Sequence, residues 1–254
     1  MTELGTERGQ GTSRRTLMRG AAWSVPVVYV AAQAPAFAAS PCDPRAYKID
    51  WGVSAYTPPG SLTATPNVGT AVATGSASGS AITVTFDSSP AGGATRYDGN
   101  LTVPATTNIG ALGAGERGLA IRSGSTALTA LVNQTITVRF SRAVSNLSFS
   151  IVDLDRDANF WDRVTCNPVP TSSNNRPTTV AGVGDAGLEI PGSGPFRYTG
   201  GTTGIDDTSN AGNVQLVYAG GASFTQLQLV YWNAGSPGPQ GILLSDFTFT
   251  ARGC

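Results

Sequence analysis

The sequence contains no histidine and only three cysteines among its 254 residues. The missing imidazole excludes Ser-His-Asp and Cys-His catalysis and every zinc site that needs a histidine ligand. Lysine occurs only at position 48, and charged residues make up 13% of the chain, against 32 glycines and 16 prolines. Such a composition favours strands joined by many turns over helices.

The N-terminal 38 residues predict an export signal. Residues 13–19 (SRRTLMR) resemble the twin-arginine motif, with Arg14 and Arg15 as the arginine pair. A mildly apolar run over 20–32 follows, and the small residues of 36–38 (AFA) suit a signal peptidase. The apolar run is shorter than the roughly 20 residues that span a bilayer, so we expect cleavage after residue 38 and no transmembrane anchor in the mature chain.

The predicted signal divides the chain into a signal peptide, residues 1–38, and one domain, residues 39–254. Twin-arginine export carries folded cargo, so the resemblance implies the twin-arginine translocase as a partner and a secreted or cell-surface location. Four arginines and two glutamates precede the cleavage point, which leaves 12 basic and 14 acidic residues in the mature part. Nucleic acid is therefore not an expected partner.

Short β-prone runs, broken about every ten residues by glycine, proline, asparagine or serine, fill the predicted mature chain. Ile82, Val84 and Phe86 alternate with threonines, as do Ile136 and Val138, which is typical of half-buried antiparallel strands. Such spacing predicts an all-β fold, a single antiparallel jelly-roll-like β-sandwich. The predicted strands are 47–56, 81–86, 134–140, 147–155, 213–218, 224–232 and 242–250, with weaker ones at 101–103, 118–122, 162–166 and 178–183.

The three cysteines allow one disulfide and one unpaired thiol within a monomer. Cys42 follows the predicted cleavage point and Cys254 ends the chain. A bridge between these two would close the ends of a sandwich whose first and last strands are neighbours, which is the pairing we expect. Cys166 is then a free thiol, either buried as a small apolar residue or available for an intermolecular contact.

An acidic segment, 151–163 (IVDLDRDANFWDR), carries the clearest chemical pattern in the chain. Alternate aspartates aim at one point, and calcium takes six to eight oxygen ligands. The predicted ligands are Asp153, Asp155 and Asp157, with Asp162 in support. The alternative is that Arg156 and Arg163 pair with these acids on a solvated turn.

A second acidic segment, 206–210 (DDTSN), together with Asp246, could form or join another oxygen-rich site. The plainer alternative is a set of Asx and Ser/Thr turns, in which these side chains bond their own backbone. Residues 171–177 and 192–204 are predicted surface loops, which on a sandwich are either binding edges or padding.

Five segments carry a likeness to a known group of proteins: 47–52 (YKIDWG), 116–119 (ERGL), 149–155 (FSIVDLD), 210–214 (NAGNV) and 241–247 (GILLSDF). They resemble twin-arginine-exported secreted proteins of actinobacteria, a family of unassigned function, over nearly the whole chain. The family implies no activity and no catalytic residues. By analogy alone, the last segment is similar to late strands of jelly-roll modules that bind sugars.

Binding rather than catalysis is therefore the expected role, with calcium as the expected ligand of the loops and a glycan or a surface protein as the partner. Exposed aromatic residues would favour a glycan, with Trp51, Trp161, Trp232 and Tyr231 as candidates, although most are expected in the core. Two other classes stay open. One is a carboxylate-dependent polysaccharide hydrolase, and the other is a structural subunit of a surface layer or fibre, joined through Cys166 or edge strands.

Overall fold

A computed structural model describes residues 43–75, 81–125 and 127–253, and these form one compact unit. The strand pairings there are antiparallel, and a single 3-10 turn at Ile109–Ala111 accompanies them. The strands are β1 Pro44–Ile49, β2 Tyr56–Thr57, β3 Val68–Gly75, β4 Ile82–Pro90, β5 Thr95–Arg96, β6 Leu119–Gly124, β7 Asn133–Val152, β8 Asp162–Asn167, β9 Ser172–Asn174, β10 Val180–Ala181, β11 Phe196–Tyr198, β12 Val214–Tyr218, β13 Phe224–Asn233, β14 Pro239–Leu244 and β15 Phe247–Arg252.

Strand β7, 20 residues long, organises both faces of the sandwich. Its first half lies between β13 and β4, whereas its second half pairs with β12 on one side and with β14 and β15 on the other. Asn146 separates the halves with a φ of 51°, a left-handed conformation that asparagine tolerates well. Since β4 pairs with β3, β3 with β1, and β1 with β15, the pairings close a circuit around one core.

An aromatic cluster fills the core that this circuit of strands encloses. Phe247 is fully buried and stacks on Phe149 with ring centroids 4.3 Å apart. It also meets Phe86 and Trp51 edge to face, at 5.7 and 6.1 Å. Inward-facing residues from nearly every long strand join this cluster, which confirms the predicted all-β antiparallel fold.

Several predicted strand boundaries are wrong. The predicted strand 47–56 is interrupted by a turn, in which the Asp50 carboxylate accepts the Gly52 N–H at 3.0 Å. The predicted strands 134–140 and 147–155 are one continuous strand, β7, and 242–250 is two strands, β14 and β15. Strand β3 was not predicted because glycine, alanine and threonine dominate its sequence.

Several sequence predictions concern residues that the structure does not describe. The signal peptide with Arg14 and Arg15, and the disulfide between Cys42 and Cys254, lie outside the described residues. Cys166 is a free thiol on β8 and is only 5% exposed. In the described part of the chain, no helix is long and apolar enough to cross a membrane.

Candidate functional site

The acidic segment folds as a tight hairpin between β7 and β8. Asp153, where β7 ends, takes a left-handed φ of 67° and turns the chain away from the sheet. Asp155 and Asp162 then bond reciprocally, since Asp162 N–H donates to the Asp155 carbonyl and Asp155 N–H donates to Asp162 Oδ2, both at 3.1 Å. At the tip, Asp157 N–H donates to the Phe160 carbonyl at 3.0 Å. The hairpin therefore holds its alternate aspartates on one side.

This hairpin forms one wall of a cavity of about 290 Å³. A second wall comes from the loop 204–207, and a third from β6 and β14. The lining residues are Arg122, Asp153, Asp155, Asp157, Phe160, Gly204, Ile205, Asp207 and 240–243. Three of the four predicted metal ligands therefore face one cavity, which we call the acidic pocket.

The carboxylates converge near Gly204. A β-carbon placed on that glycine would lie 3.3 Å from Asp155 Oδ2 and 3.6 Å from Asp157 Oδ2, so both oxygens lie next to Gly204. Ile205 N–H donates to Asp155 Oδ2 at 2.7 Å and ties the loop to the hairpin. The Asp207 side chain lies near that of Asp153 and helps to raise the pKa of Asp153. Asp153 Oδ1 is buried and has no hydrogen-bond partner.

Asp162, the fourth predicted ligand, lies beneath the acidic pocket rather than in its lining. It is fully buried, and its Oδ1 accepts the Tyr231 hydroxyl at 2.7 Å. The Gln240 side-chain N–H also donates to Asp162 Oδ1, at 3.2 Å, while the Gln240 side-chain oxygen accepts the Asn233 N–H. Asp162 thus fixes the backbone of Asp155 and positions it, instead of offering its own oxygens to the cavity.

Burial and mutual repulsion destabilise the ionised form of the carboxylates in the pocket. Desolvation, followed by the charges of Asp155, Asp207 and Asp162, raises the pKa of Asp153 to about 10. Desolvation is also the main reason why the pKa values of Asp155 and Asp162 are raised. Without an added cation, Asp153 therefore keeps its proton at neutral pH.

The alternative prediction, that Arg156 and Arg163 neutralise these acids, is wrong. Arg163 forms a two-point ion pair with Glu189 at 2.5 and 2.9 Å, and both arginines stack on the ring of Trp161, at 4.2 and 3.7 Å from its centroid. Among the described residues, no lysine or arginine lies within 4 Å of a carboxylate oxygen of the pocket aspartates. Arg122 lines the acidic pocket but forms no ion pair with these aspartates, so no protein cation neutralises them by direct contact among the described residues.

The second acidic segment divides between the two predicted roles. Asp206 makes the Asx turn, accepting the Thr208 N–H at 2.8 Å and the Thr208 hydroxyl at 2.5 Å. Its neighbour Asp207 joins the acidic pocket. Asp246 lies elsewhere, where it accepts Trp51 N–H at 2.9 Å and pairs with Lys48 at 2.6 Å. Sequence reasoning missed Arg122 and Gly204, which carry no local signal of belonging to a site.

Most of the aromatic candidates for sugar binding are not available to a ligand. Trp51 and Tyr231 are core residues, at 4% and 0% exposure. Trp161 and Trp232 are partly exposed, but Trp161 is covered by its two arginines, and its ring N–H donates to the Tyr198 carbonyl at 2.7 Å. These four residues therefore do not form an aromatic platform for a sugar.

A pH dependence of stability follows from the raised pKa of Asp153. The unfolded chain releases this proton near pH 4 and the folded metal-free protein keeps it, so the free energy of unfolding falls as pH rises above 4. One retained proton gives a slope of up to about 1.4 kcal/mol per pH unit. The chain has no histidine, so the other groups that contribute over pH 5 to 8 are carboxyls whose pKa is also raised, such as Asp155 and Asp162.

Urea unfolding in chelator at pH 5, 6, 7 and 8 measures this slope. We expect the protein to be most stable at pH 5, and Asp153→Asn to reduce the slope because an amide does not titrate, while Asp155 and Asp162 keep their own contribution. A wild-type stability that is level or rises over this range would contradict the assignment.

No family model, no curated protein and no solved structure matches this chain. In the described ranges, moreover, no three histidine, cysteine, aspartate or glutamate side chains are grouped so that they could hold a metal ion as they stand. Inference about function therefore depends on the chemistry of the acidic pocket itself.

Proposed function

We propose that this chain is an exported calcium-binding β-sandwich that acts outside the cell by binding a glycan or a surface protein, not by catalysis. The observation that carries the proposal is the acidic pocket, where four aspartates, Asp153, Asp155, Asp157 and Asp207, face one cavity whose single basic lining residue, Arg122, forms no ion pair with them. The buried Asp153 Oδ1, which has no hydrogen-bond partner, is an acceptor that a cation would satisfy.

Calcium suits this donor set better than other biological cations. The titratable donors are carboxylates alone, with neither imidazole nor thiolate, which favours a hard cation. Calcium also tolerates irregular shells of six to eight oxygens, and water can complete the shell in an open cavity. The carboxylates must close in on the ion, and the ion itself removes the repulsion that opposes this closure.

Titration calorimetry of the full chain tests the proposal. After chelator treatment and dialysis, calcium chloride is expected to give one saturable binding event, with magnesium chloride clearly weaker because magnesium demands a regular octahedral shell. Proton release should accompany binding at pH 7, since the pocket holds protons beforehand. Absence of any calcium heat, in buffers of different ionisation enthalpy, would refute the calcium part of the proposal.

The same pocket carries one observation in favour of a hydrolase. A carboxyl group with a raised pKa, such as Asp153, is what a general acid requires. Its Oδ1, however, is buried away from solvent, which favours ion binding over proton donation to a substrate. Incubation with a panel of soluble polysaccharides separates the two: new reducing ends, lost in Asp153→Asn, would replace binding by hydrolysis.

A structural subunit joined through Cys166 receives no support from the fold. The thiol is buried on β8, and burial raises its pKa to about 12, so it is protonated and shielded at neutral pH. Oxidative cross-linking of the folded protein through Cys166 is therefore not expected.

Export is tested through the arginine pair. Replacing Arg14 and Arg15 together with lysine is expected to leave the protein unprocessed in the cytoplasm, because the resemblance assigns recognition by the translocase to this pair. The measurement is cell fractionation of a bacterial host with a functional twin-arginine system. The matched control is Arg8→Lys, which precedes the motif. Equal export of the double variant would exclude the twin-arginine route.

A further inference from the structure

A second cavity, of about 590 Å³, lies beside the acidic pocket in the fold. It is lined by Leu112, Asn175, Arg176, Pro177, Asn210 and Asn213, together with backbone of the 3-10 turn. The loop 204–213 contributes to both cavities, since Asp207 lines the first and Asn210 the second. We call this second cavity the amide pocket.

The amide pocket offers hydrogen-bonding groups that the protein leaves unused. Asn213 is 4% exposed, and its Oδ1 has no partner although its Nδ2 donates to the Gly110 carbonyl at 2.7 Å. The Asn210 side chain makes no hydrogen bond to any residue in the described part of the chain. Asn175 Nδ2 donates to the Gln215 side-chain oxygen at 2.9 Å, and Asn175 Oδ1 stays available to accept a hydrogen bond. These groups both donate and accept, as sugar hydroxyls do.

The remaining lining is suited to the less polar face of a sugar ring. Leu112 is 39% exposed, and Pro177 lines the same cavity. Arg176 donates one N–H to the Gly182 carbonyl and keeps others for a ligand. No carboxylate lines the amide pocket among the described residues, so it does not share the cation preference of its neighbour. A few fixed polar groups around an apolar patch are typical of a small-ligand site.

A short chain of hydrogen bonds joins the two cavities through Gly110. Its N–H donates to the Asp207 carbonyl at 2.7 Å, and its carbonyl accepts from Asn213. Gly110 has a φ of 57°, and a β-carbon there would lie 2.7 Å from both Asn213 side-chain polar atoms. These two bonds connect the backbone of Asp207, which lines the acidic pocket, to Asn213 in the wall of the amide pocket.

We infer that the amide pocket binds a sugar unit of a glycan, and that calcium in the acidic pocket shapes it through the loop 204–213. The inference rests on the proposed calcium function, because the ion would draw Asp207, and with it the loop 204–213, toward Asp153 and Asp155. The ligand class follows from unused amides beside an apolar patch, and the calcium dependence follows from the shared loop.

Nuclear magnetic resonance of the isotope-labelled full chain tests the inference with three probes: methyl mannoside, methyl galactoside and N-acetylglucosamine. At least one probe is expected to shift the side-chain amide signals of Asn175 and Asn210. In chelator the dissociation constant of that probe should rise by about 5- to 150-fold, the usual range for coupled sites. Asn210→Ala should lose sugar binding while keeping the calcium heat, and Gln226→Ala, an exposed carboxamide on β13, should behave as wild type.

The outcomes separate this inference from the function it rests on. Equal sugar affinity with calcium and with chelator overturns the coupling, and sugar-induced shifts confined to Arg122 and Phe160 overturn the location. If calcium binds but none of the probes shifts a resonance, the amide pocket is not a sugar site and the calcium proposal stands. If calcium does not bind, both the coupling and the calcium proposal fail. In the Gly110→Ala variant, calcium should still bind but should no longer strengthen sugar binding.

Discussion

Asp155→Asn is expected to abolish stabilisation of the protein by calcium. Wild type, with calcium at about 100 times its dissociation constant, gains about 2.7 kcal/mol of unfolding free energy. Loss of one central carboxylate should weaken calcium binding by at least about 100-fold, more than loss of an outer-shell partner does. An asparagine oxygen can still accept the Ile205 N–H that Asp155 Oδ2 accepts at 2.7 Å. Thermal and urea unfolding with calcium and with chelator measure both effects.

The metal-free Asp155→Asn variant should be no less stable than wild type at pH 7, because replacing the carboxylate with an amide removes a charge from a crowded pocket. The matched control is Asp206→Asn, which changes an aspartate in the Asx turn next to Asp207 and should keep the full calcium effect. A calcium-dependent rise that survives in Asp155→Asn would place the ion elsewhere.

Phe247→Ala is expected to cost about 3 to 5 kcal/mol of unfolding free energy, the usual range for removing a large buried ring. Phe247 is fully buried and contacts Trp51, Phe86 and Phe149, which come from different parts of the chain. The cavity left behind cannot collapse easily, because strands on several sides fix its walls. Urea unfolding at pH 7 in chelator measures the change.

Val53→Ala provides the control, since Val53 is 82% exposed and should change stability by less than about 0.5 kcal/mol. A small effect of Phe247→Ala, similar to that of Val53→Ala, would mean that the strands do not pack around one core through this cluster.

Alternation of apolar and polar residues predicted the fold class because it is a local property with a direct structural cause. Ile82, Val84 and Phe86 each have 0% exposure, as the period of two requires for one buried face. β13 and β8 also lie near their predicted positions, 224–232 and 162–166.

Strand boundaries depended on interactions that alternation does not encode. The turn after Ile49 is stabilised by the side chain of Asp50, whereas the alternation of apolar residues with other residues continues through the turn. Asn146 falls between two predicted strands, but its left-handed φ is accommodated inside β7, where the strand passes from one set of partners to another. The turn after Ile49 was therefore set by a local side-chain contact, and the continuity of β7 by tertiary pairing.

Half of the candidate site was accessible from the sequence. The alternate aspartates Asp153, Asp155 and Asp157 share a face by spacing alone, and they line one cavity. Asp207 could not be assigned with them, because it lies far along the chain and only the packed loop brings it close. Asp162 fits the spacing pattern yet faces inward, since it pairs with Tyr231 across neighbouring strands.

A crystal structure grown in calcium chloride, with anomalous diffraction data collected at long wavelength, tests the central claim most directly. The account predicts one anomalous peak in the acidic pocket, coordinated by Asp155 and by at least two of Asp153, Asp157 and Asp207, with oxygen distances of about 2.3 to 2.6 Å. A pocket that holds only water, with no anomalous peak near these aspartates, would contradict it.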